Sequence, residues 1–324
     1  MNQVMKIAAL VMFSIAGFLA PESYGVDNND TDKGFWMEVW SNTSYRSTHF
    51  SLETPKQEDF YLSNTAIDIG FRFPLSDRVS VDPYLTLELA HDLGNESWNQ
   101  VYWNNNYQIG PGLRLRYDYN DDTNKKGSVV WLKSMNIGPF IEYLYYKDSP
   151  DSAKDEIPET VPDENWRSGI SSWVSLDSRK HGRFGPWAEL WTELSYNHNN
   201  FSNGEYNDYY PFLFQPRIGV EWRYDHIAIQ PYLMCDLTYD FGNNSWNKES
   251  WLNKLEYGPG IRISIGGFQQ LSGTVVHIYT EYLSIDYFSR VDQSAYADNA
   301  SNDFRIGIKC WLPFGATKKS STRK

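Results

Sequence analysis

The sequence predicts an all-β protein, a transmembrane antiparallel up-and-down β-barrel of about 12 strands arranged as two six-strand units. Three observations predict it. Apolar and polar residues alternate with period two in many short segments, the chain repeats itself once from end to end, and short and long connections take turns.

The first strand is expected over 35–48 and the seventh over 186–199. They open the two halves, because Trp36-Met-Glu-Val-Trp40 with Tyr45 and Phe50 recurs as Trp187-Ala-Glu-Leu-Trp191 with Tyr196 and Phe201. The second strand, 61–74, sets Ile67, Ile69, Phe71 and Phe73 against Asp68, Gly70 and Arg72; the eighth is expected over 211–224. The third, 79–91, puts Val79, Val81, Leu85, Leu87 and Leu89 on one face and Ser80, Asp82, Tyr84, Thr86 and Glu88 on the other. Its counterpart, 227–240, repeats this with Ile227, Ile229, Leu233, Cys235 and Leu237 against Gln230, Tyr232, Asp236 and Thr238.

The fourth strand, 108–119, and the tenth, 257–266, share Gly110-Pro-Gly-Leu-Arg114 and Gly258-Pro-Gly-Ile-Arg262. The fifth, 130–147, and the eleventh, 273–289, share Glu142-Tyr-Leu144 and Glu281-Tyr-Leu283. The sixth, 166–177, and the twelfth, 303–314, share Arg167, Gly169-Ile170 and Trp173 with Arg305, Gly307-Ile308 and Trp311. Several of these approximate the roughly 9–11 residues that cross a bilayer at a tilt. The barrel is thus expected over 35–314, with units at 35–177 and 186–314.

With both termini on the periplasmic side, short connections should follow the even-numbered strands. They run through 75–78, 120–129, 178–185, 225–226 and 267–272, whereas 92–107, 148–165, 241–256 and 290–302 are long.

Residues 1–25 read as an export signal: Lys6, an apolar run from Ile7 to Leu19, then Ser23-Tyr24-Gly25 as a cleavage site. At roughly 13 residues that run is too short for a spanning helix. Residues 26–34 form a short lead-in, and 315–324 a basic tail. A mean hydropathy of −0.57 excludes a helical membrane protein, while a barrel tolerates it because only alternate residues face lipid. Aromatic residues make up 16% of the chain, as interfacial girdles of Trp and Tyr require.

A net charge of −12 argues against nucleic acid as a partner. Cys235 and Cys310 make no metal or redox motif, and they fall on strands that are not neighbours. No cofactor and no metal site are expected. If the apolar rows face lipid, the opposite rows carry Arg72, Glu88, Arg114, Glu142 and Arg167, then Glu221, Arg262, Glu281 and Arg305, into the lumen. Such charges can form a structural ion-pair network or line a wet channel.

The series Tyr45-Arg-Ser-Thr-His-Phe50, Trp98-Asn99 before Gly110-Pro-Gly-Leu-Arg114, the two Glu-Tyr-Leu segments and Asn302-Asp-Phe-Arg-Ile-Gly-Ile308 resembles the C-terminal barrel of bacteriophage-adsorption outer-membrane proteins. That group is similar to the barrels of exopolysaccharide-export proteins. The resemblance implies a non-enzymatic outer-membrane barrel in envelope polysaccharide handling, or a surface receptor. Its expected partners are outer-membrane lipid and lipopolysaccharide, with polysaccharide or an export complex. Family members carry a helical-repeat region before the barrel and this sequence has none, so a role in threading polymer would need a separate protein. A porin-like channel is the alternative.

Trp98, Asn99 and Trp103, repeated as Trp246, Asn247 and Trp251, suit a glycan contact, since Trp stacks on sugar rings and Asn bonds hydroxyls; membership of the outer aromatic girdle is the plainer reading. The acidic run between Asp148 and Asn165 lacks EF-hand spacing and reads as a solvated loop. His198 and Ser202 before Asn203-Gly204 resemble a stretched form of the motif of outer-membrane lipid hydrolases, the second alternative.

Overall fold

The computed structural model describes residues 34–50, 56–92, 106–120, 132–148, 162–177, 183–201, 206–242, 253–266, 274–288 and 300–315. The regular elements among them are strands: β1 (Gly34–Phe50), β2 (Lys56–Pro74), β3 (Val79–Asp92), β4 (Asn106–Asn120), β5 (Leu132–Asp148), β6 (Pro162–Asp177), β7 (Phe184–Phe201), β8 (Tyr206–Tyr209), β9 (Pro211–Tyr224), β10 (Ile227–Asp240), β11 (Lys254–Ile265), β12 (Val275–Tyr287) and β13 (Ala300–Gly315). Every neighbouring pair is antiparallel. β1 bonds both β2 and β13, and β6 bonds β7, so the sheet closes on itself.

β8 and β9 are one strand interrupted at Tyr210. β7 places Asn197 opposite Tyr209 and Leu194 opposite Phe212, the same register on both sides of the break. Pro211 has no N–H to donate, and the Tyr210 N–H turns to Asp240 Oδ1 at 2.7 Å. Thirteen assigned strands less that one interruption make a closed barrel of twelve.

The strands run further than the sequence predicts at the end away from the short turns. β2 starts at Lys56 instead of 61, β6 at Pro162 instead of 166, β11 at Lys254 instead of 257, and β8 lies where no strand is expected. At the other end β5 starts at Leu132 instead of 130 and β12 spans Val275–Tyr287 instead of 273–289. The added segments, such as Lys56-Gln-Glu-Asp59, are polar on both faces and so lack alternation. Backbone pairing continues the ladder past the apolar belt.

Two short turns explain their own sequences. In 75–78 the N–H groups of Leu75 and Ser76 donate to Val79 O at 2.8 and 3.1 Å, while Ser76 Oγ accepts from the Val79 N–H at 3.2 Å. Between β9 and β10, Asp225 takes φ 53°, the left-handed conformation that a two-residue hairpin demands.

Contacts fix which faces point inward. Arg116 on β4 reaches Glu38 on β1 at 3.2 Å, and Arg167 on β6 reaches Glu88 on β3 at 2.6 Å; strands three places apart meet only through the inside of the ring. The opposite faces carry the exposed Leu85, Leu113, Ile141, Ile170, Ile218 and Leu233, the last two 62% and 61% exposed. Asp82, Glu142, Glu221 and Glu281 are buried inside. This reverses a water-soluble protein. Each such aliphatic side chain gains about 1.5–3 kcal/mol on leaving water, so the outer belt is built for hydrocarbon. The free Cys235 and Cys310 sit on this outward face, on β10 and β13.

Candidate functional site: the lumen

The lumen wall is built twice from the same parts. On β3, Tyr84 donates its hydroxyl to Glu142 on β5; on β10, Tyr232 donates to Glu281 on β12 at 2.6 Å. Trp36 and Tyr84 hold ring centroids 6.0 Å apart, and Trp187 and Tyr232 are also 6.0 Å apart. Arg114 lies over Trp36 and Tyr84 at 5.0 and 5.1 Å; Arg262 lies over Trp187 and Tyr232 at 4.3 and 5.9 Å.

The glycines of the two Gly-Pro-Gly segments make room for this. A Cβ on Gly112 would stand 2.5 Å from Tyr84 Cζ, and one on Gly260 would stand 2.6 Å from Tyr232 Cζ. Each tyrosine therefore lies flat across the neighbouring strand and reaches the glutamate one strand beyond. The spacing of Gly, Pro and Arg in those segments follows from that crossing.

The lumen charges are paired within this frame. Arg167 bonds Glu142 at 2.5 Å and Glu88 at 2.6 Å. Arg305, its counterpart, bonds Glu256 at 2.7 Å and Asp303 at 2.5 Å. Arg72 holds Asp82 at 3.0 Å, whereas the matching place near β9 pairs Gln230 with Glu221 at 2.5 Å. Glu221 also meets Arg223 at 2.9 Å, and Glu281 takes the Tyr232 hydroxyl. Most of these contacts join neighbouring strands or stay within one, while Arg305–Glu256 and Tyr232–Glu281 span two places and Arg167–Glu88 spans three.

The halves part at one arginine. Arg262 is gripped by Glu189 at 2.8 and 3.0 Å and by Gln230 at 2.5 Å. Arg114 has Asp68 at 3.9 Å, and its Nε and Nη2 are buried with no hydrogen-bond partner. Glu38, which corresponds to Glu189, is taken by Arg116 instead. Sequence reasoning placed the inward charges, and set Asp82 and Gln230 on the face opposite the apolar rows, but did not single out Trp36, Trp187, Glu256 and Asp303 as their anchors. The repeat itself held the signal, since Trp36 and Trp187 open it.

The proposed glycan contacts Trp98, Asn99, Trp103, Trp246, Asn247 and Trp251 lie outside the described residues, as do Ser202 and most of the acidic run. His198 stands on the outer rim, its Nδ1 2.6 Å from Asp208 Oδ1, and Tyr196 donates to the same oxygen at 2.8 Å. Burial there would raise the Asp208 carboxyl, yet the hydrogen bonds from His198 and Tyr196 bring it below its ordinary value. Among the described residues no group of His, Cys, Asp and Glu could hold a metal ion.

An apolar exterior around a charged interior, closed by antiparallel strands, defines a transmembrane β-barrel. No protein-family model matches the chain, and no curated protein matches it. Solved structures do. The chain is similar to the beta domain of the Bordetella autotransporter BrkA, with TM-score 0.43 and 12% identity over 86% of this chain and 98% of that one. It is similar also to the TodX deltaS2S3 mutant monoaromatic hydrocarbon channel, with TM-score 0.38 and 6% identity over 87% and 89%. A third is the outer membrane channel DcaP of Acinetobacter baumannii, with TM-score 0.32 and 10% identity over 87% and 97%. The likeness is one of architecture.

Proposed function

We propose that the protein is an exported outer-membrane barrel whose lumen gives polar solutes a route across the bilayer. One observation carries this reading: the lumen is charged, and carboxylates toward both of its ends are partly exposed. Glu88, near the end with long loops, keeps 28% of its side chain exposed, and Asp118, near the end with short turns, keeps 35%. A sealed interior would cover such carboxylates completely, because an incompletely paired charge without water is costly.

Export through residues 1–25, periplasmic termini and surroundings rich in lipopolysaccharide belong to the same proposal. The apolar belt supports it. The connection lengths alternate only in part, since 51–55 and 202–205 are short where long loops are expected and 121–131 is long where a short turn is. Descent from a duplicated six-strand unit belongs to the proposal too, and the paired Trp–Tyr–Arg–Glu contacts favour it. We propose envelope glycans as the class of solute. Reconstitution of the refolded protein in planar bilayers tests the route: discrete current steps in concentrated KCl are expected. A barrel that is folded by its heat-modifiable gel migration and yet passes no current would overturn it.

A further inference from the structure

Five aromatic side chains that face the lumen are covered. Trp36, Tyr84, Trp187, Tyr232 and Tyr279 are 3–7% exposed. Four tryptophans depart from this. Trp40 shares a face of β1 with Glu38 and Asn42, Trp311 shares a face of β13 with Arg305 and Lys309, Trp173 shares a face of β6 with Arg167, and Trp191 shares a face of β7 with Glu189. All four therefore point inward, yet they are 42%, 40%, 37% and 37% exposed. A large apolar ring left open to water inside a barrel has no structural reason to be there, since covering it would stabilise the fold.

Their arrangement is also ordered. Trp40 stands directly opposite Trp311 on the neighbouring strand, and Trp173 directly opposite Trp191. The first pair lies at the β13–β1 seam and the second at the β6–β7 seam, which are half the ring apart. The recurring Trp36–Tyr84 and Trp187–Tyr232 contacts, four residues below Trp40 and Trp191, set the two pairs at matching heights on facing walls.

We propose that these two tryptophan pairs form a two-walled stacking site for an uncharged oligosaccharide, which passes or rests between them. The inference rests on the lumen being reachable by solute. Indole faces suit the C–H faces of pyranose rings, and both pairs are flanked by groups that bond hydroxyls. Asn42, which accepts the Tyr279 hydroxyl, adjoins Trp40 on its face, Ser171 and Ser175 adjoin Trp173, and Gln215, which donates to Asp236, pairs with Trp191. Charged groups share these faces, each with a partner of its own: Glu38 and Glu189 with Arg116 and Arg262, Glu193 with Ser195, and Lys309 over the Tyr279 ring. That leaves the open indole faces to the C–H face of a polyol.

The test is calorimetric titration of the refolded protein, in a sugar-free detergent, with maltohexaose, cellohexaose and chitohexaose. At least one is expected to bind with a dissociation constant below about 1 mM. Trp40→Ala and Trp191→Ala should each weaken that binding about tenfold, while Trp40→Phe keeps most of it. Trp166→Ala, on the outward face, should leave it unchanged, and gel migration verifies that each variant is folded. Binding by none of the three, or equal binding by the alanine variants, would overturn the proposal. So would binding of naphthalene sulfonate in place of every hexasaccharide. Current without sugar binding removes this site and spares the route; sugar binding without current does the reverse.

Discussion

Replacing Arg167 with Met removes the one group that neutralises Glu142 and Glu88 together. Glu142 is buried, its side chain 7% exposed, and it would keep only the Tyr84 hydroxyl. Breaking a buried pair by deleting one partner costs about 3–5 kcal/mol, most of it the desolvation of the charge left behind. Glu88 is more open, at 28%, and its share should be no more than about 1 kcal/mol. Arg167→Met should therefore lower the unfolding free energy by roughly 4 kcal/mol. The assay is urea unfolding of the barrel refolded into lipid vesicles, followed by tryptophan fluorescence. Adding Glu142→Gln should restore most of the loss, because the amide oxygen still accepts from Tyr84 and no charge remains buried. A single variant within about 1 kcal/mol of the parent would refute the reasoning. So would a double variant that loses as much as the single.

Other outcomes follow from the same geometry. Gly112→Ala and Gly260→Ala should each cost about 2–3 kcal/mol, since the new methyl must push Tyr84 or Tyr232 off its glutamate; vesicle unfolding reads this, and a neutral result sinks the crossing argument. Arg262→Met should cost about 1.5–3 kcal/mol, since Glu189 loses its two close hydrogen bonds and keeps only Arg217 at 3.6 Å, whereas Arg114→Met should stay within about 1 kcal/mol because little charge pairing is lost. Equal losses at the two positions would contradict the contrast between the halves. Conductance in planar bilayers and hexasaccharide titration against the lumen tryptophans complete the set, with the outcomes stated above.

Much of the barrel was legible because lipid imposes a simple rule. Leu85, Leu87 and Leu89, or Ile306 and Ile308, must face hydrocarbon, so the period-two pattern is written plainly in the sequence. Where the wall leaves the belt that rule lapses. Lys56–Asp59 and Tyr206–Tyr209 continue the ladder without apolar alternation in the sequence, so no period-two signal announced them. The inward charges could be listed from parity, but not their partners. Arg116 rather than Arg114 takes Glu38 because the choice depends on side-chain reach across three strands, which no linear spacing encodes.

The two sets of wall contacts agree in one kind of interaction and differ in another. The contacts they share are steric: glycine under tyrosine, tyrosine against tryptophan, hydroxyl on glutamate. Such a fit has few substitutes, since any added atom collides, and it recurs unchanged. The contacts in which they differ are electrostatic. Arg72–Asp82 stands where the other half has Gln230–Glu221, and the satisfied Arg262 faces a nearly unpaired Arg114. Charges on long side chains can reach alternative partners, as Arg116 rather than Arg114 takes Glu38, so this layer admits more than one arrangement on the same wall. Selection for what the lumen accepts would act on that layer and on the four open tryptophans, and the Gly–Tyr–Glu crossings would hold the surface on which it acts.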